Sequence, residues 1–269
     1  MSGAGRDGAG TEGRPGRNMS ALRWLVTGTD TGVGKTVTAA AIAAAATGGG
    51  RRVAVVKPGQ TGMPPGSLDE SDMDVVRRLG GPATVLTVAT YPDPLAPLAA
   101  AQEAGVPPLA LGDVIEAVDS VAGTHAVVLI EGAGGLLVPM GAGGWTVADL
   151  VQALRCPVVV VARAGLGTLN HTALTFEALH RRGLSGCLVL GAWPETPELV
   201  HWRNLADLPG DLAGVLPDGA GGMAPQRFRA AAPDWLTPLL FGRADPERLR
   251  SDGVPSTPPD WPEPIDLSR

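Results

Sequence analysis

The stretch Gly28-Thr29-Asp30-Thr31-Gly32-Val33-Gly34-Lys35-Thr36 lies between a short apolar run, Trp24–Val26, and an alanine-rich segment, Val37–Ala46. A strand, a glycine loop and a helix in this order form a cradle for phosphate, because the loop N–H groups and the helix dipole face the anion. Lys35 is placed to reach the terminal phosphates, and the Thr36 hydroxyl is placed to bind a phosphate-associated Mg²⁺. The stretch predicts a phosphate-binding loop that opens the first helix.

This loop is a variant of the usual pattern of Gly, four residues and Gly-Lys-Ser/Thr. Counted back from Gly34, the first Gly position is filled by Thr29, with Gly28 one residue earlier. The alternative interpretation is a structural glycine turn that contains Gly-Lys-Thr by chance. The flanking strand and helix patterns favour the phosphate loop.

Lysine usage points to the same region of the chain. Of 21 Lys and Arg residues only two are lysines, Lys35 and Lys57. An ammonium is a compact point charge on a flexible stem, which suits a phosphate or carbamate oxygen better than a planar guanidinium does. One lysine lies in the loop and the other directly follows an apolar run, so both are candidate catalytic residues.

Composition restricts the class of protein. The chain has 269 residues, 44% of them hydrophobic, and a net charge of −6, so no basic surface argues for a nucleic acid or anionic membrane partner. No apolar stretch approaches the roughly 18 residues that span a bilayer, and the N-terminus lacks the apolar core of a signal peptide. Cys156 and Cys187 lie in or beside apolar runs without metal spacing, as expected of reduced thiols. We expect a cytoplasmic protein.

Short apolar runs alternate with helical patterns along the middle of the chain. The runs are continuous rather than alternating, which is typical of strands buried on both faces. They are Val53–Val56, Ala126–Ile130, Pro157–Val161, Cys187–Leu190 and Leu212–Leu216, with helices expected at Asp113–Val121, Thr146–Leu154 and Thr168–Arg182. The pattern predicts an α/β fold with a mostly parallel sheet flanked by helices on both faces.

The ends of the chain differ from the middle in composition. Residues 1–19 are rich in Gly, Arg and Ser, and residues 243–269 are rich in Pro and charge. We expect a disordered N-terminal extension, a single domain at 20–242, and a disordered or loosely docked C-terminal tail. Residues 59–112 read as a long irregular stretch, which in a compact domain usually carries function or a lid.

Polar residues follow two predicted strands at the sheet edge where this fold places its ligands. Lys57 begins Lys57-Pro58-Gly59-Gln60-Thr61-Gly62, where Pro58 is expected to stop regular pairing. Glu131 begins Glu131-Gly132-Ala133-Gly134-Gly135, and a carboxylate directly after a buried strand is a natural Mg²⁺ ligand near a nucleotide. Asp72 is a weaker candidate, since a carboxylate at the start of a surface helix would look the same.

The stretch Leu166-Gly167-Thr168-Leu169-Asn170-His171 starts the helix that follows the apolar run Pro157–Val161. Free N–H groups at such a helix start, with Thr168 as a possible cap, can bind an anion. An ordinary capped helix explains the same residues equally well.

Taken together, the loop at residues 28–36 and the motifs at 57–62, 131–135 and 166–171 resemble dethiobiotin synthase over roughly residues 22–240. The resemblance implies a homodimer of P-loop NTPase-type α/β subunits with the active site at the interface. It also implies ATP- and Mg²⁺-dependent ring closure of 7,8-diaminopelargonic acid with CO₂, which gives dethiobiotin in biotin biosynthesis.

The resemblance carries over to single residues. The phosphate-loop positions are Thr31, Gly32, Val33, Gly34, Lys35 and Thr36, and the further nucleotide contacts it implies are Val37, Asp72, Glu131, Gly191, Trp193 and Pro217. The implied Mg²⁺ ligands are Thr36, Asp72 and Glu131. The implied substrate contacts are Lys57, Thr61, Gly134, Leu166, Gly167, Thr168, Leu169 and Asn170. Catalysis is assigned to Lys35, Lys57 and Thr31.

One departure from the family bears on nucleotide choice. Many members carry an adenine-reading Asn after the strand that here ends Leu188-Val189-Leu190-Gly191-Ala192-Trp193, and Leu190 is taken as that position. Leucine cannot make the paired hydrogen bonds that distinguish bases. The sequence therefore predicts weak base discrimination, so that CTP or GTP could replace ATP.

Two other classes of enzyme and a class of switch protein compete with this interpretation. Amidotransferase-type ATPases such as the cobyrinate amide synthases need a second domain with a nucleophilic Cys, for which this chain is too short. GTPases need Asn-Lys-x-Asp, which is absent. Partitioning or positioning ATPases of the deviant P-loop type carry an extra lysine at the start of the loop, and here that position holds none.

Overall fold

The strands of the fold all run parallel. A computed structural model describes residues 21–252. Its strands are β1 (Leu22–Gly28), β2 (Val53–Gln60), β3 (Thr84–Thr90), β4 (Val127–Gly135), β5 (Val158–Ala162), β6 (Gly186–Trp193) and β7 (Leu212–Pro217). They form one sheet in the order β3-β2-β4-β1-β5-β6-β7. The expected parallel α/β fold is confirmed, and residues 1–19 lie outside the described residues.

Helices cover both faces of this sheet. They are α1 (Lys35–Gly48), α2 (Asp72–Gly80), α3 (Pro97–Glu103), α4 (Leu111–Ala122), α5 (Val147–Leu154), α6 (Thr168–His180), α7 (Leu199–Asp207), α8 (Pro225–Trp235) and α9 (Pro246–Asp252). Successive strand residues pack on opposite faces: Leu25 joins the core beneath α4 to α7 and α9, whereas Val26 joins the core beneath α1, α2 and α8. This double burial explains why the strands read as continuous apolar runs.

Helix α1 is buried almost all round, which its alanines permit. Residues 38–46 are all buried between the sheet, α2 and α8. Small side chains allow close packing here, and a Cβ at Gly80 of α2 would lie 2.8 Å from the Ala40 carbonyl oxygen. The phosphate loop therefore leads into a helix that is held rigidly against the sheet.

Two local expectations are corrected by the fold. Pro58 does not end β2: pairing with β4 stops at Val56, but pairing with β3 continues on the other edge at Lys57, Gly59 and Gln60. Proline is tolerated in a strand where its missing N–H is not needed for pairing, and here pairing with β4 has already stopped at Val56. The stretch 59–112 is also not irregular throughout, since it contains α2, β3 and α3.

The folded part of the chain continues beyond residue 242. Helix α9 lies in the stretch where a loosely docked tail was expected, yet Leu249 is fully buried in the core. Arg250 donates hydrogen bonds to the carbonyl oxygens of Leu205, Leu208 and Gly210. Residues 253–269 of the expected tail lie outside the described residues. Within residues 21–252 no helix is long and apolar enough to cross a membrane.

Candidate active site

The phosphate loop runs from the end of β1 to the first residue of α1. It turns through Gly32 and Gly34, whose φ angles of +73° and +96° are in the left-handed region that favours glycine. Gly34 is the N-cap of α1 and provides no side chain to occupy the first-turn N–H groups. These donors are consequently free for an anion, and the helix dipole adds positive potential there.

The loop packs directly on the end of β6. A Cβ at Gly191 would lie 2.0 Å from the Val33 carbonyl oxygen, and a Cβ at Gly34 would lie 2.8 Å from the Gly191 oxygen. The Lys35 ammonium donates to the Asp30 carbonyl oxygen at 3.0 Å, which arches the lysine back over the loop. Glycine at these positions therefore allows the contact that shapes the cradle.

Four side chains from four elements form one largely buried polar network beside the loop. The Lys57 ammonium lies 2.8 Å from Glu131 Oε1 and 2.6 Å from Asp72 Oδ2, and it also donates to the Gly132 carbonyl oxygen at 3.1 Å. The Thr36 hydroxyl donates to the same Glu131 oxygen at 2.8 Å. The network joins the start of α1, the middle of β2, the start of α2 and the middle of β4.

Burial and charge act against each other in this network. Burial disfavours the charged form of Lys57, but the carboxylates of Glu131 and Asp72 outweigh it and hold the pKa of Lys57 above its usual value. Burial raises the pKa of Glu131 although Lys57 opposes this. Asp72 is a third exposed. Its partial burial favours a higher pKa, but the charge of Lys57 and its hydrogen bond outweigh this, so the pKa of Asp72 is lowered. Burial, then the charge of Lys57, lowers the pKa of Lys35.

The residues expected to hold Mg²⁺ fit that ion chemically. Within the described residues, Glu131 Oε2 is buried and has no hydrogen-bond partner. A buried carboxylate oxygen normally has a partner, so this atom is suited to bind a cation. The Thr36 hydroxyl donates to the other oxygen of this carboxylate, and Asp72 shares Lys57 with Glu131. Residues 21–252 contain no cluster of three His, Cys, Asp or Glu. Mg²⁺ needs none, because it is usually bound by one or two carboxylates together with substrate phosphates and water.

A cleft of about 630 Å³ brings most of the predicted site together. Its lining includes both lysines of the chain. Predicted residues that line it are Thr31, Gly32, Gly34, Lys35, Thr36, Val37, Lys57, Thr61, Asp72, Glu131 and Gly134. The cleft thus joins the loop, the lysine of β2, the carboxylate of β4 and the carboxylate that begins α2.

Other predicted nucleotide contacts lie beside the cleft rather than on its wall. Val33 is buried in the core under the loop, and Gly191 lies behind it. The Trp193 side chain is buried edge-on against Trp202 of α7, with ring centroids 5.0 Å apart. Pro217 pairs with Trp193 across β6 and β7. None of these four residues lines the cleft.

The role given to Leu190 is corrected. Its side chain is fully buried in the core and it pairs with Ala162 of β5, so it cannot face a base at any point on the surface. A side-chain amide that recognises the base would have to lie further along the chain, where β6 leaves the sheet. The residues there are Ala192, Trp193 and Pro194, none of which carries an amide side chain.

The start of α6 stands apart from the cleft. Gly167, not Thr168, is the N-cap, and Thr168 is buried with its hydroxyl 3.4 Å from that of Thr172. Leu166 is 85% exposed, Leu169 is partly exposed and Asn170 is exposed. None of the residues from 166 to 170 lines the cleft of its own chain.

Several cleft residues were not singled out from the sequence. Gln60 is buried on the cleft wall, and its Oε1 accepts a hydrogen bond from the Asp72 N–H at 3.2 Å, which places the start of α2. A capping box of Ser71 and Asp74 fixes the same helix end. The pattern Ser-x-x-Asp was readable in the sequence. The remaining apolar wall, formed by Pro94–Pro97 and Val138, has no local sequence signal.

Comparison with known proteins gives consistent matches. A family profile described as an AAA domain matches residues 23–196. The ATP-dependent dethiobiotin synthetase of Streptomyces avermitilis is 51% identical over 243 residues, covering 88% of this chain and 100% of that protein. The enzyme of the same name from Rhodococcus jostii is 51% identical over 217 residues, covering 79% of this chain and 93% of its own.

Among solved structures, the septum site-determining protein MinD of Pyrococcus horikoshii, in complex with Mg-ADP, matches with a TM-score of 0.46. It is 19% identical and covers 80% of this chain and 96% of that one.

Proposed function

Because this chain belongs to the ATP-dependent dethiobiotin synthetase family and is an ATP-dependent cyclo-ligase of biotin biosynthesis, we propose a mechanism for its ring closure. The substrates are 7,8-diaminopelargonic acid, CO₂ and ATP. One observation carries the proposal: the only two lysines of the chain line one cleft, together with the phosphate loop and two carboxylates.

The reaction proceeds in three bond-forming steps. One amine of the diamine attacks CO₂ and loses a proton, which gives a carbamate. A carbamate oxygen attacks the γ-phosphorus of ATP, the bond to the β-phosphate oxygen breaks, and ADP leaves, which gives a carbamic–phosphoric anhydride. The neighbouring amine then attacks the carbamoyl carbon and loses a proton, and phosphate leaves, which closes the cyclic urea. The protein's main tasks are positioning and neutralising charge.

The residues of the cleft divide these tasks. Lys35 and the N–H groups of the loop bind the transferring phosphoryl group, while Lys57 of β2, on the same cleft, faces the carbamate. Thr31 and Thr61, which also line the cleft, orient these groups. Thr36, Asp72 and Glu131 would hold Mg²⁺, which when bound neutralises charge on the phosphate oxygens.

The exposed start of α6 supports a homodimer with a shared site. Leu166 and Leu174 are 85% and 56% exposed, and the N-cap Gly167 provides no side-chain cap for the N–H groups of the helix start. We place Leu166–Asn170 against the cleft of the partner subunit, where the helix start would bind the carboxylate of the diamine. Free N–H groups at a helix N-terminus favour a carboxylate for the same reasons as a phosphate.

Nucleotide choice follows from what surrounds the end of β6. Leu190 is buried and no amide side chain occupies residues 191–194, so the base would meet mainly backbone. Backbone groups can bind a base, but they offer few contacts that only adenine satisfies. We propose that the protein accepts CTP and GTP as well as ATP. Competition between these nucleotides tests this, and a strong preference for ATP would contradict it.

The whole proposal is tested by phosphate release with Mg–ATP and bicarbonate, measured with and without 7,8-diaminopelargonic acid. We expect strict dependence on the diamine, with dethiobiotin identified by mass spectrometry. Turnover that does not depend on the diamine and is stimulated by a protein or DNA partner would overturn the proposal in favour of a nucleotide-dependent switch.

A further inference from the structure

The phosphate loop contains a carboxylate of its own. Asp30 is half exposed and directly precedes Thr31, which lines the cleft. Its Oδ1 accepts the Thr31 N–H at 2.7 Å, and its carbonyl oxygen accepts the Lys35 ammonium at 3.0 Å. A negative charge so close to a site for a polyphosphate anion would weaken binding unless it is neutralised.

An arginine that directly follows strand β5 neutralises the charge of Asp30. The Arg163 guanidinium, just beyond the end of β5, lies 2.5 Å from Asp30 Oδ2. Two residues earlier, the Val161 carbonyl oxygen accepts the Thr29 N–H at 2.9 Å. The first turn of the loop is therefore tied to the end of β5 twice, once through the backbone and once through an ion pair.

We propose that Arg163 is a positioning residue for nucleotide binding, which acts through Asp30. It cancels the charge that the loop carries beside the polyphosphate, and it holds the turn from which Lys35 and the Thr31 N–H are oriented. Lys35 depends on this turn because its ammonium rests on the Asp30 carbonyl. The inference rests on the proposed function only in assuming that the loop binds a nucleoside triphosphate.

The chain offers a matched control on β1, the strand that leads into the loop. Arg23, at the opposite end of β1, forms an ion pair of 2.7 Å with Asp119 on α4. Its removal breaks a comparable contact far from the loop. Arg163→Ala, Asp30→Asn, the double variant and Arg23→Ala are compared with the unaltered protein for ATP binding by calorimetry without the diamine. Thermal unfolding shows that each variant is folded.

We expect Arg163→Ala to bind ATP about tenfold more weakly at low salt, with the deficit shrinking at about 0.5 M KCl because added ions screen the exposed charge. Asp30→Asn in the Arg163→Ala background should restore affinity to within about threefold, since the asparagine oxygen still accepts the Thr31 N–H. A merely structural role of Arg163 would give a loss that neither salt nor Asp30→Asn relieves.

The proposal is overturned if Arg163→Ala binds ATP as the Arg23→Ala control does, or if Asp30→Asn fails to restore binding. Should Arg163→Ala fail to fold, Arg163→Lys takes its place, and it is expected to retain most of the affinity because its charge still reaches Asp30. Failure of the proposed reaction shows as absent dethiobiotin in the unaltered protein, whereas failure of this inference shows only in ATP affinity.

Discussion

The Lys57 ammonium lies 2.8 Å from Glu131 Oε1, and neither side chain is more than 3% exposed. Asp72 Oδ2, 2.6 Å from the same ammonium, is its second carboxylate partner. Lys35, in contrast, has a carbonyl oxygen as its hydrogen-bond partner. The two lysines of the cleft are therefore placed differently: Lys57 forms ion pairs with Glu131 and Asp72, whereas Lys35 feels both carboxylates without pairing directly with either.

Lys57→Ala should lower both activity and stability. We expect a loss of about 10²–10³ or more in kcat, because one charge stabiliser of the transferring group is removed. Stability should fall by about 3–5 kcal/mol, because Glu131 is left buried without its counter-charge. Steady-state kinetics and urea unfolding measure the two effects. The double variant with Glu131→Gln should recover stability but not activity, and near-wild-type turnover in Lys57→Ala would remove this residue from the mechanism.

Lys35→Ala should lower activity alone. The expected loss in kcat is again about 10²–10³ or more, but unfolding in urea should change by less than about 1 kcal/mol. The reason is that burial already disfavours the Lys35 charge and lowers its pKa in the folded protein, so removing it leaves no unpaired carboxylate. A variant that turns over at the normal rate, or one that loses as much stability as Lys57→Ala, would contradict this division of roles.

The central strands and the phosphate loop could be predicted because their signals are local. Runs such as Val53–Val56 and Pro157–Val161 are apolar at every position since both faces are covered. Strand β3 was not predicted from the sequence. It is an edge strand whose residues are only partly buried, so Thr84–Thr90 carries no continuous apolar signal. α2 was missed although its capping box was visible.

The candidate site was predictable in its members but not in its contacts. The residue types and their places after strands indicated Lys57 and Glu131. That the two share an ion pair follows from the strand order, in which β4 lies next to β2 although 74 residues separate the partners. The assignment of Leu190 failed because a stretch of six apolar or glycine residues, Leu188 to Trp193, does not show which one leaves the sheet. The proposed role of Arg163 could not be predicted either, because it depends on an ion pair with Asp30, which is 133 residues away in the sequence.

Gly191→Ala should displace the phosphate loop. A Cβ there would lie 2.0 Å from the Val33 carbonyl oxygen, a distance that the backbone can relieve only by moving the loop or β6. We expect ATP affinity to fall by at least about tenfold, together with a loss of about 1–3 kcal/mol in stability. Gly48→Ala is the control, since no atom lies within 4 Å of its Cβ position at the end of α1. Normal ATP binding by Gly191→Ala would contradict the packing described.

The two thiols should make stability fall at alkaline pH. Burial raises the pKa of Cys187 from 9.0 to about 12 and that of Cys156 to about 11. In the unfolded chain both thiols ionise from about pH 9, whereas in the folded protein they remain protonated, so the unfolded state is increasingly favoured as the pH rises.

For Cys187 the predicted loss between pH 8 and pH 10 is about 1 kcal/mol. It is measured as the change in unfolding free energy relative to Cys187→Ala, which lacks the thiol but shares the other titrating groups. Iodoacetamide should label neither thiol of the folded protein rapidly at pH 8, because the thiolate is the reactive form. An identical pH dependence in both proteins would contradict the raised pKa.

Leu249→Ala tests whether α9 belongs to the folded domain. The side chain is 1% exposed and packs into the core on the side of β7, so its truncation should cost about 2–5 kcal/mol in unfolding free energy. Arg248→Ala, on the exposed side of the same helix, should change stability by less than about 0.5 kcal/mol. Because α9 contributes no residue to the cleft, both variants should keep their kcat at temperatures where they are folded. Equal stability of the two variants would mean that the helix docks without contributing to the fold, and that the domain ends near residue 242.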